Sequence, residues 1–449
     1  MKNFILKYMP IFFQNLLISI YNSYQYKIRH GGRYVEFFDF YADLHNTKYS
    51  DVINEQNERL NKFLNFSTKN SEWYSNVVNS NSLKDFPVLT KEDLVNNLKK
   101  IATISERKGI ISFTGGTTGA SMKVIYTKSD MQERFAILDV FRASYGYKLG
   151  SKVAWFSGKS LVTKNNLAKG LCYRDDWINK IRFFSTFHIT QKYFDDYWVA
   201  LHKFSPEYIV GFSSSVFDIC SIAEERGLKY TGNIKVFFPT AETVLPMHRD
   251  LITKVLGCVL VDQYASSEGA PFILECKYGI KHIHPLTGIF EVVDENFNPA
   301  QSGELLVTSF TTHGTPIIRY KIGDRITLGE AGLSCQCGSE FPIVNSIDGR
   351  SADYILSPEN GKVNLGNLSN ATKGISGLLC FQLIQNETDL VIVNVVVNNK
   401  FDLNQEVRFE EALRMRLGES MIINLNKVDN IPTEKSGKFR IVKNNLKHQ

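Results

Sequence analysis

Short apolar runs alternate with amphipathic segments through the middle of the chain. The runs end in polar or glycine-rich turns, as buried strands do. They are KVAWFSG from Lys152, PEYIVGF from Pro206, IKVFFPTAE from Ile234 and CVLVDQYASSEG from Cys258. The segments SVFDICSIAEERG from Ser215 and PMHRDLITKVLG from Pro246 have helical spacing and close with glycine. This order predicts an α/β fold whose ligands bind at the polar ends of the strands.

Beyond Ile289 the pattern changes to strand-like segments. They are GIFEVVD from Gly288, GELLVTSF from Gly303 and PIIRYKIGDRITL from Pro316. The last piece of the chain has two strands and a helical stretch of its own: LCFQLIQ from Leu379, DLVIVNVVV from Asp389 and EVRFEEALRMRLG from Glu406. We therefore expect a large domain over residues 1–348 and a small α+β domain over residues 349–449.

Composition supports a folded protein of more than one domain. The chain has 449 residues, of which 43% are hydrophobic and 22% charged, and it exceeds the size at which one core stops growing. The net charge of +6 is small for this length, so a nucleic-acid partner is not expected. An odd number of cysteines, 7 in all, without a convincing signal-peptide cleavage site, predicts a reducing, cytoplasmic location.

The N-terminus departs from this balance. Residues 1–33 contain no acidic residue, and their basic residues are Lys2, Lys7, Lys27, Arg29 and Arg33. The apolar run from Pro10 to Tyr21 is shorter than the roughly 20 residues that cross a bilayer. Two interpretations stay open: a pair of helices packed on the protein, or an interfacial helix that makes weak contact with an anionic membrane surface.

A polar loop, SFTGGTTGASMK from Ser112 to Lys123, lies between the apolar segments GIISF and KVIYT. Its backbone N–H groups and hydroxyls suit phosphate oxygens. It is not a Walker loop, because Ala120 and Ser121 stand where that motif has Gly and Lys. A flexible surface hairpin is the alternative.

Four further motifs follow the loop in order. They are YASSEG at 264–269, YKIGDR at 320–325, DGRSAD at 348–353 and PTEKSGKFR at 432–440. The succession resembles the adenylate-forming superfamily of acyl-CoA synthetases over nearly the whole chain. The segments FSGKSLV, FFSTFHIT and ECKYGIKHIHP are similar to phenylacetate-CoA ligase relatives, particularly the capsular polysaccharide (CapK-like) branch.

The resemblance implies a large, multi-subdomain α/β adenylation domain followed by a small mobile α+β domain. Such an enzyme activates a carboxylic acid with ATP and Mg²⁺, releases pyrophosphate and passes the acyl group to a thiol, here most simply that of coenzyme A. The resemblance leaves open two alternatives: transfer to a carrier protein or an amine, and a non-catalytic nucleotide-binding protein on the same fold.

The resemblance also implies roles for residues of these motifs. The loop residues that would hold the β- and γ-phosphates are Thr114, Gly115, Gly116, Thr117, Thr118 and Gly119. Glu268 would bind Mg²⁺, as a hard carboxylate should. Tyr264 would lie against the adenine, in a pocket that Ala241 and Glu242 of PTAET also line. Asp324 would accept hydrogen bonds from both ribose hydroxyls.

Two residues implied by the resemblance lie near or beyond the domain boundary. Arg350 would help to fix the ribose and phosphates. Lys438, in SGKFR, would be the catalytic lysine that touches the substrate carboxylate and the α-phosphate; a surface lysine in a basic tail is the alternative. One departure from the family pattern is Ala352, which stands where relatives carry an acidic or lysine hinge residue, so the thioester-forming step is less secure than adenylation.

Three cysteines and a histidine suggest a metal site. Cys276 and His282 lie in one segment, and Cys335 and Cys337 in another. Three thiolates and one imidazole are a closed, structural zinc set, and relatives in the resembled branch carry zinc at matching positions. His284 is a competing ligand, and free cysteines in turns are the alternative.

The identity of the acid is open. By position, FSGKS and FSTFH approach the acyl pocket, where Lys159 and His188 could recognise a polar substituent. The alternatives are a surface position for Lys159 and core packing for the aromatic residues of these segments.

Overall fold

We analysed the fold in a computed structural model of the chain. The structure describes residues 9–44, 47–77, 82–113, 122–158, 161–330, 332–350, 354–365, 368, 370–372, 374–432 and 439–446.

The elements of this part of the chain are numbered in chain order. The helices are α1 (Ile11–His30), α2 (Tyr34–Asp43), α3 (Tyr49–Asn70), α4 (Lys91–Ile101), α5 (Lys128–Ala143), α6 (Lys164–Leu167), α7 (Phe194–Phe204), α8 (Ser213–Glu225), α9 (Pro246–Leu256) and α10 (Leu403–Leu417). Single 3₁₀ turns span Glu72–Tyr74, Leu83–Asp85, Pro285–Thr287 and Asn370–Thr372.

The strands are β1 (Ile110–Phe113), β2 (Lys123–Tyr126), β3 (Val153–Ser157), β4 (Tyr173–Asp176), β5 (Ile181–Ser185), β6 (Tyr208–Gly211), β7 (Val236–Pro239), β8 (Val259–Leu260), β9 (Gln263–Tyr264), β10 (Ile273–Glu275), β11 (Lys281–Ile283), β12 (Gly288–Val293), β13 (Ser302–Ser309), β14 (Tyr320–Leu328), β15 (Ile343–Arg350), β16 (Tyr354–Ser357), β17 (Gly361–Asn364), β18 (Leu378–Gln385), β19 (Leu390–Val397), β20 (Ile422–Lys427) and β21 (Val442–Asn444).

The chain divides into two compact units, each built from separate stretches. The first unit consists of residues 1–19, 151–261 and 347–449, and the second of residues 20–150 and 262–346. Of the helices that the structure describes, none combines the length and apolarity needed to cross a membrane.

The first unit contains the predicted alternation of strands and helices. Its main sheet has the order β4-β5-β3-β6-β7-β8, in which β4 alone of the described strands runs antiparallel to its neighbour. Strands β6 and β7 are fully buried, because α8, α9 and their neighbours cover the sheet. The aromatic rings of Phe156 and Phe184 stack across β3 and β5 at 4.8 Å. The strands of this parallel part end on one edge, where open α/β sheets bind ligands.

The C-terminal stretch of the first unit is α+β, as the sequence predicts. Its sheet has the order β20-β19-β18-β21. The helix α10 packs Phe409 and Leu413 against Phe381 and Val393 of this sheet, and all four side chains are buried. The antiparallel pair β16-β17 completes this stretch in the described residues.

The second unit is built around a largely antiparallel sheet with the order β12-β13-β14-β15-β11-β10-β9. The strands β1 and β2 form a separate antiparallel pair that carries the Gly/Thr loop between them. Helix α5 follows β2 directly. Its first turn is fixed by a capping box, in which Thr127 and Asp130 exchange side-chain and backbone hydrogen bonds.

Candidate active site

In the second unit the YASSEG and YKIGDR motifs meet. The hydroxyl of Tyr264, in β9, donates a hydrogen bond of 2.7 Å to Oδ2 of Asp324, in β14. The two residues are 60 positions apart in the chain, and both side chains are half-buried. The structure thus brings together the residues that sequence analysis assigned to the adenine and the ribose.

The turn that presents Glu268 depends on the glycine after it. Gly269 has a φ of +99°, and a Cβ built there would lie 2.5 Å from Cγ2 of Thr312 and 2.7 Å from the hydroxyl of Tyr126. A side chain at this position would therefore be strained in its backbone and crowded by its neighbours. The same Tyr126 hydroxyl donates to the carbonyl oxygen of Ser267 at 3.0 Å, so β2 contacts the turn directly.

Arg134, in α5, stabilises this turn through hydrogen bonds. Sequence analysis did not identify this residue. Its side chain is 7% exposed, and Nη1 donates to the carbonyl oxygens of Gly269 at 3.0 Å and Ala270 at 3.1 Å. Nη1 also donates to Oγ1 of Thr311 at 3.0 Å. A charge in an amphipathic helix normally indicates a solvent-facing side, so the pattern offered no signal for a buried role.

Charges surround the Tyr126 ring on the same side of the turn. Burial raises the pKa of Tyr126 to about 12, with the Arg134 guanidinium lowering it and the Glu268 carboxylate raising it. Glu268 therefore lies close enough to this phenol for its charge to act on it.

The described flanks of the Gly/Thr loop lie beside the same motifs. The N–H of Ile125 donates to Oγ1 of Thr315 at 2.9 Å, and the hydroxyl of Tyr320, which opens YKIGDR, lies 3.8 Å from the sulfur of Met122. The residues predicted to hold phosphates, Thr114 to Gly119, lie outside the described residues.

In the first unit, the PTAET motif contacts Phe439, which follows SGK in the sequence. Ala241, just beyond β7, has a φ of +65°, which a residue other than glycine rarely adopts. The Glu242 carboxylate accepts hydrogen bonds from the N–H and the hydroxyl of Ser214, both at 3.0 Å. It also accepts one from the N–H of Phe439 at 3.2 Å. Lys438 precedes that residue directly and lies outside the described residues.

The structure describes only some of the remaining predicted site residues. His188 follows β5 at the carboxyl edge of the main sheet and is partly exposed. Lys159 lies outside the described residues. Arg350 ends β15, and its side chain is likewise outside the description. The close approach of β6 to β3 at this edge requires Gly211, since a Cβ there would overlap the carbonyl group of Phe156.

The four predicted metal ligands come together in the second unit. The donor atoms of Cys276, His282, Cys335 and Cys337 all lie within 4.8 Å of one another. They come from the β10–β11 turn, from β11 and from the β14–β15 connection. His284, the competing ligand, is not in this group; its ring packs on Tyr41 and Phe341 instead, at 5.4 Å and 5.6 Å.

The spacing of these donors suits a tetrahedral metal. Zinc bonds of about 2.3 Å to sulfur and about 2.0 Å to nitrogen hold two sulfurs about 3.8 Å apart, and a sulfur and a nitrogen about 3.5 Å apart. The observed separations are 3.8 Å between Sγ of Cys276 and Sγ of Cys335, and 3.6 Å between Sγ of Cys337 and Nε2 of His282. Nδ1 of His282 is 3.0 Å from the carbonyl oxygen of Phe341, so this nitrogen carries the proton and leaves Nε2 to the metal.

The chain is similar to a family model and to curated proteins. The family model described as the CapK C-terminal domain matches residues 355–445. Protein CapK of Staphylococcus aureus is 33% identical over 460 aligned positions, which cover 100% of both chains. Indoleacetate–lysine synthetase of Pseudomonas savastanoi is 23% identical over 250 positions, or 55% of this chain and 60% of that one.

Among solved structures, 2-hydroxyisobutyryl-CoA ligase in the postadenylation state, in complex with R3-HIB-AMP, matches with a TM-score of 0.70. The match is 16% identical and covers 87% of this chain and 89% of that one. The predicted fold class, a large α/β adenylation domain followed by a small C-terminal α+β domain, is confirmed by this likeness. The 33% sequence identity to Protein CapK along the full length shows more than a shared fold. The chain belongs to the CapK family.

Proposed function

We propose that this protein activates a carboxylic acid with ATP and transfers the acyl group to a thiol, that of coenzyme A. The observation that carries the proposal is the 2.7 Å hydrogen bond between Tyr264 and Asp324, because it joins two motifs that are distant in the sequence. Full-length identity to CapK and the fold shared with a CoA ligase support it.

The residues suit the first step of this reaction. An oxygen of the acid attacks the α-phosphorus of ATP, and the bond from that phosphorus to pyrophosphate breaks. Asp324, oriented by the Tyr264 hydroxyl, would accept hydrogen bonds from the ribose hydroxyls. Glu268 would hold Mg²⁺ on the phosphates, which lowers the repulsion that the approaching carboxylate meets. The Gly/Thr loop and Arg350 would hold the phosphates, and Lys438 would stabilise the charge that develops between the two reactants.

We assign the two steps to two domains. Residues 1–348 would hold ATP and the acid, and residues 349–449 would bring Lys438 to the first step and turn away for the second. Ala352 replaces the usual hinge residue, so we expect the thioester step to be the slower one. A reaction that consumes ATP and a reduced thiol fits the cytoplasmic location that the sequence predicts.

Membership of the CapK family supports a role in modifying a surface polysaccharide, with a small or hydroxylated acid as the acyl group. One observation favours a second acceptor: the relative named indoleacetate–lysine synthetase couples its acid to an amine, as its name states. An amino sugar or an acyl carrier protein is therefore the second candidate acceptor.

The cysteine–histidine cluster would hold a structural zinc ion. Three thiolates and an imidazole fill a tetrahedral shell and leave no open position for water. When bound, zinc would cross-link the β10–β11 turn to the β14–β15 connection; it would take no part in acyl activation.

The test is a screen for pyrophosphate release with ATP, Mg²⁺ and a panel of carboxylic acids, each with and without coenzyme A. We expect release that depends on the acid, and a thioester only when coenzyme A is present. Asp324→Asn should lower kcat/KM for ATP about a hundredfold, since hydrogen bonds to a charged group contribute about 1.5–3 kcal/mol each. The matched control is Asp39→Asn, an exposed carboxylate of the same unit.

The outcomes separate the candidates. With an amine or an acyl carrier protein added, formation of an amide or of an acylated carrier, and no acyl-CoA, would move the acceptor to the second candidate and leave adenylation standing. A lack of pyrophosphate release across the panel, with ATP still bound, would favour the non-catalytic alternative. Equal activity of Asp324→Asn and Asp39→Asn would remove the ribose assignment.

A further inference from the structure

Helix α1 buries its polar side and exposes its apolar side, the reverse of an ordinary surface helix. Gln14, Asn15 and Ser19 are 2%, 6% and 1% exposed. The exposed large side chains of the same helix are Phe12, Phe13, Leu16, Leu17, Ile20, Tyr21 and Tyr24. The intervals between them alternate between one and three residues, which places them on one face of the helix.

The polar side chains fix this orientation. Oε1 of Gln14 accepts a hydrogen bond of 2.8 Å from Nε of Arg174. Oδ1 of Asn15 accepts from the backbone N–H of Asp175 at 3.3 Å, and Oγ of Ser19 from that of Trp177 at 2.9 Å. These partners lie on and just after β4, an edge strand of the main sheet. The helix thus satisfies N–H groups at the sheet edge, and rotating the apolar face inward would break these bonds.

The turn between β4 and β5 enlarges the apolar face. Trp177 and Ile178 are 45% and 56% exposed, and the Trp177 ring lies 5.2 Å from that of Phe12. Two separate elements of the first unit therefore contribute large exposed side chains to one surface, which we call the N-terminal apolar face: residues 12, 13, 16 and 17 with 177 and 178. Contiguous apolar patches of this kind on soluble proteins usually mark an interaction site.

The charges beside this face are basic. Lys27 is exposed at the end of the helix and Lys180 in the β4–β5 turn, and residues 1–33 hold no acidic side chain. The two carboxylates that precede the turn are engaged internally: Asp175 pairs with Arg182 at 2.7 Å, and Asp176 accepts hydrogen bonds from Asn179.

We infer that the N-terminal apolar face docks this protein on a membrane surface that contains anionic lipid. A helix of this kind lies in the plane of the interface with its apolar side among the acyl chains, while aromatic and lysine side chains reach the headgroups. A second copy of the chain fits the charges less well, because a symmetric contact would bring the same lysines towards each other. The inference is independent of the proposed reaction.

The test is flotation of the full-length protein with vesicles of phosphatidylcholine, alone or with one third phosphatidylglycerol. We expect flotation with the anionic vesicles, loss of it in high salt, and about tenfold weaker binding to neutral vesicles. The double variant Phe13→Ser, Leu17→Ser should bind anionic vesicles at least about tenfold more weakly, because both side chains enter the acyl region. Its melting temperature should match that of the wild type, since both residues are exposed at 50% and 43%.

A matched control removes as much exposed apolar surface elsewhere. Leu403 and Met415, in α10, are 74% and 75% exposed, and Leu403→Ser, Met415→Ser should float as the wild type does. Vesicles with brominated lipid should quench the fluorescence of the wild type more than that of Trp177→Phe, which would place the β4–β5 turn in the interface.

Three results would overturn the inference. One is failure of the wild type to float with anionic vesicles. Another is equal flotation of the two double variants. The third is a dimer in the absence of vesicles that Phe13→Ser, Leu17→Ser dissociates, because this would assign the face to a second copy of the chain.

Discussion

His248, in the first unit, has a buried imidazole that lowers the stability of the folded protein in acid. Burial lowers its pKa to about 3, and its ring lies 4.8 Å from that of Phe217. Nδ1 faces the backbone N–H of Leu245 at 3.5 Å, so this nitrogen is an acceptor in the neutral ring. An unfolded histidine has a pKa of about 6.5. Below that pH, this imidazole therefore binds a proton in the unfolded chain but stays neutral in the folded protein until the pH nears 3.

The sign of the effect follows from this depressed pKa. The contribution of neutral His248 to stability is complete above about pH 6.5 and is lost as the pH falls towards 3, by about 1.4 kcal/mol per pH unit. Between pH 7 and pH 5, we expect His248→Gln to lose about 2 kcal/mol less free energy of unfolding than the wild type, as measured by urea titration. His202→Gln, which removes a partly exposed imidazole from the same unit, should keep the wild-type pH dependence. Parallel pH profiles for His248→Gln and the wild type would contradict the assignment.

Arg134 illustrates a positioning residue that acts through backbone. It donates to the carbonyl oxygens of Gly269 and Ala270 and so fixes the turn that presents Glu268. Lysine keeps the charge but has a single nitrogen and lacks the planar fork. We expect Arg134→Lys to raise the Mg²⁺ concentration needed for half-maximal pyrophosphate release about tenfold, because Glu268 loses its orientation. Arg142→Lys, a buried arginine of the same helix, is the control. A merely structural role for Arg134 would lower the melting temperature and leave the Mg²⁺ dependence unchanged.

At the scale of elements, the cysteine–histidine cluster brings together the β10–β11 turn and the β14–β15 connection. The first turn closes with the N–H of Gly279 on the carbonyl of Cys276 at 2.9 Å, and the second with the N–H of Gly338 on the carbonyl of Cys335 at 2.9 Å. Each turn thus presents a cysteine at its start, and a metal between them would lock the pair. Without it, the pairing of β11 with β15 and the contact of His282 with the carbonyl oxygen of Phe341 would still join these segments, but the cysteines would not be cross-linked.

Metal analysis of the purified protein should find one zinc per chain, and Cys335→Ser should lose most of it. Because structural zinc contributes directly to folding, the same variant and chelator treatment should both lower the melting temperature by several degrees. Cys380→Ser, a partly exposed cysteine outside the cluster, should retain the metal. Wild-type protein free of zinc, with unchanged stability in chelator, would end the proposal.

The elements that sequence analysis predicted well are those whose pattern reports burial directly. Strands β6 and β7 are continuous apolar runs because helices cover both faces, and α8 and α9 show helical spacing with glycine stops. Helices α1 and α5 were harder, since their polar residues are the buried ones. Gln14 and Arg134 are buried by partners that lie far away in the sequence. The hydrophobic periodicity of a helix does not indicate such partners. The motifs were informative for a different reason, because a phosphate or ribose site demands particular residues in a fixed order.

At the scale of the whole molecule, the chain enters each compact unit more than once. The first unit gathers residues 1–19, 151–261 and 347–449, so its core forms between stretches that residues 20–150 and 262–346 separate along the chain. A change of texture near Asp348 marks the start of the last stretch, but local patterns contain no signal that residues 151–261 pack with it. Leu245, just before α9, is 2% exposed and belongs to the same core as Phe381 and Leu413. Long-range contacts also join motifs within each unit: Glu242 meets Phe439 across 197 positions in the first unit, and Tyr264 meets Asp324 across 60 in the second.

The last prediction separates the two half-reactions of the whole enzyme. The N–H of Phe439, the residue after Lys438 in the sequence, donates to Glu242. Lys438→Ala should abolish acid-dependent pyrophosphate exchange, because the variant lacks the cation proposed to lie between the carboxylate and the α-phosphate. The same variant should still convert supplied acyl-AMP and coenzyme A to the thioester, since that step needs no phosphate attack. Lys443→Ala is the matched control: it lies in the same basic tail, on β21, and should retain both activities. If the lysines contribute only positive charge to the tail, the two variants will lose exchange to the same small extent, and the catalytic assignment of Lys438 will fail.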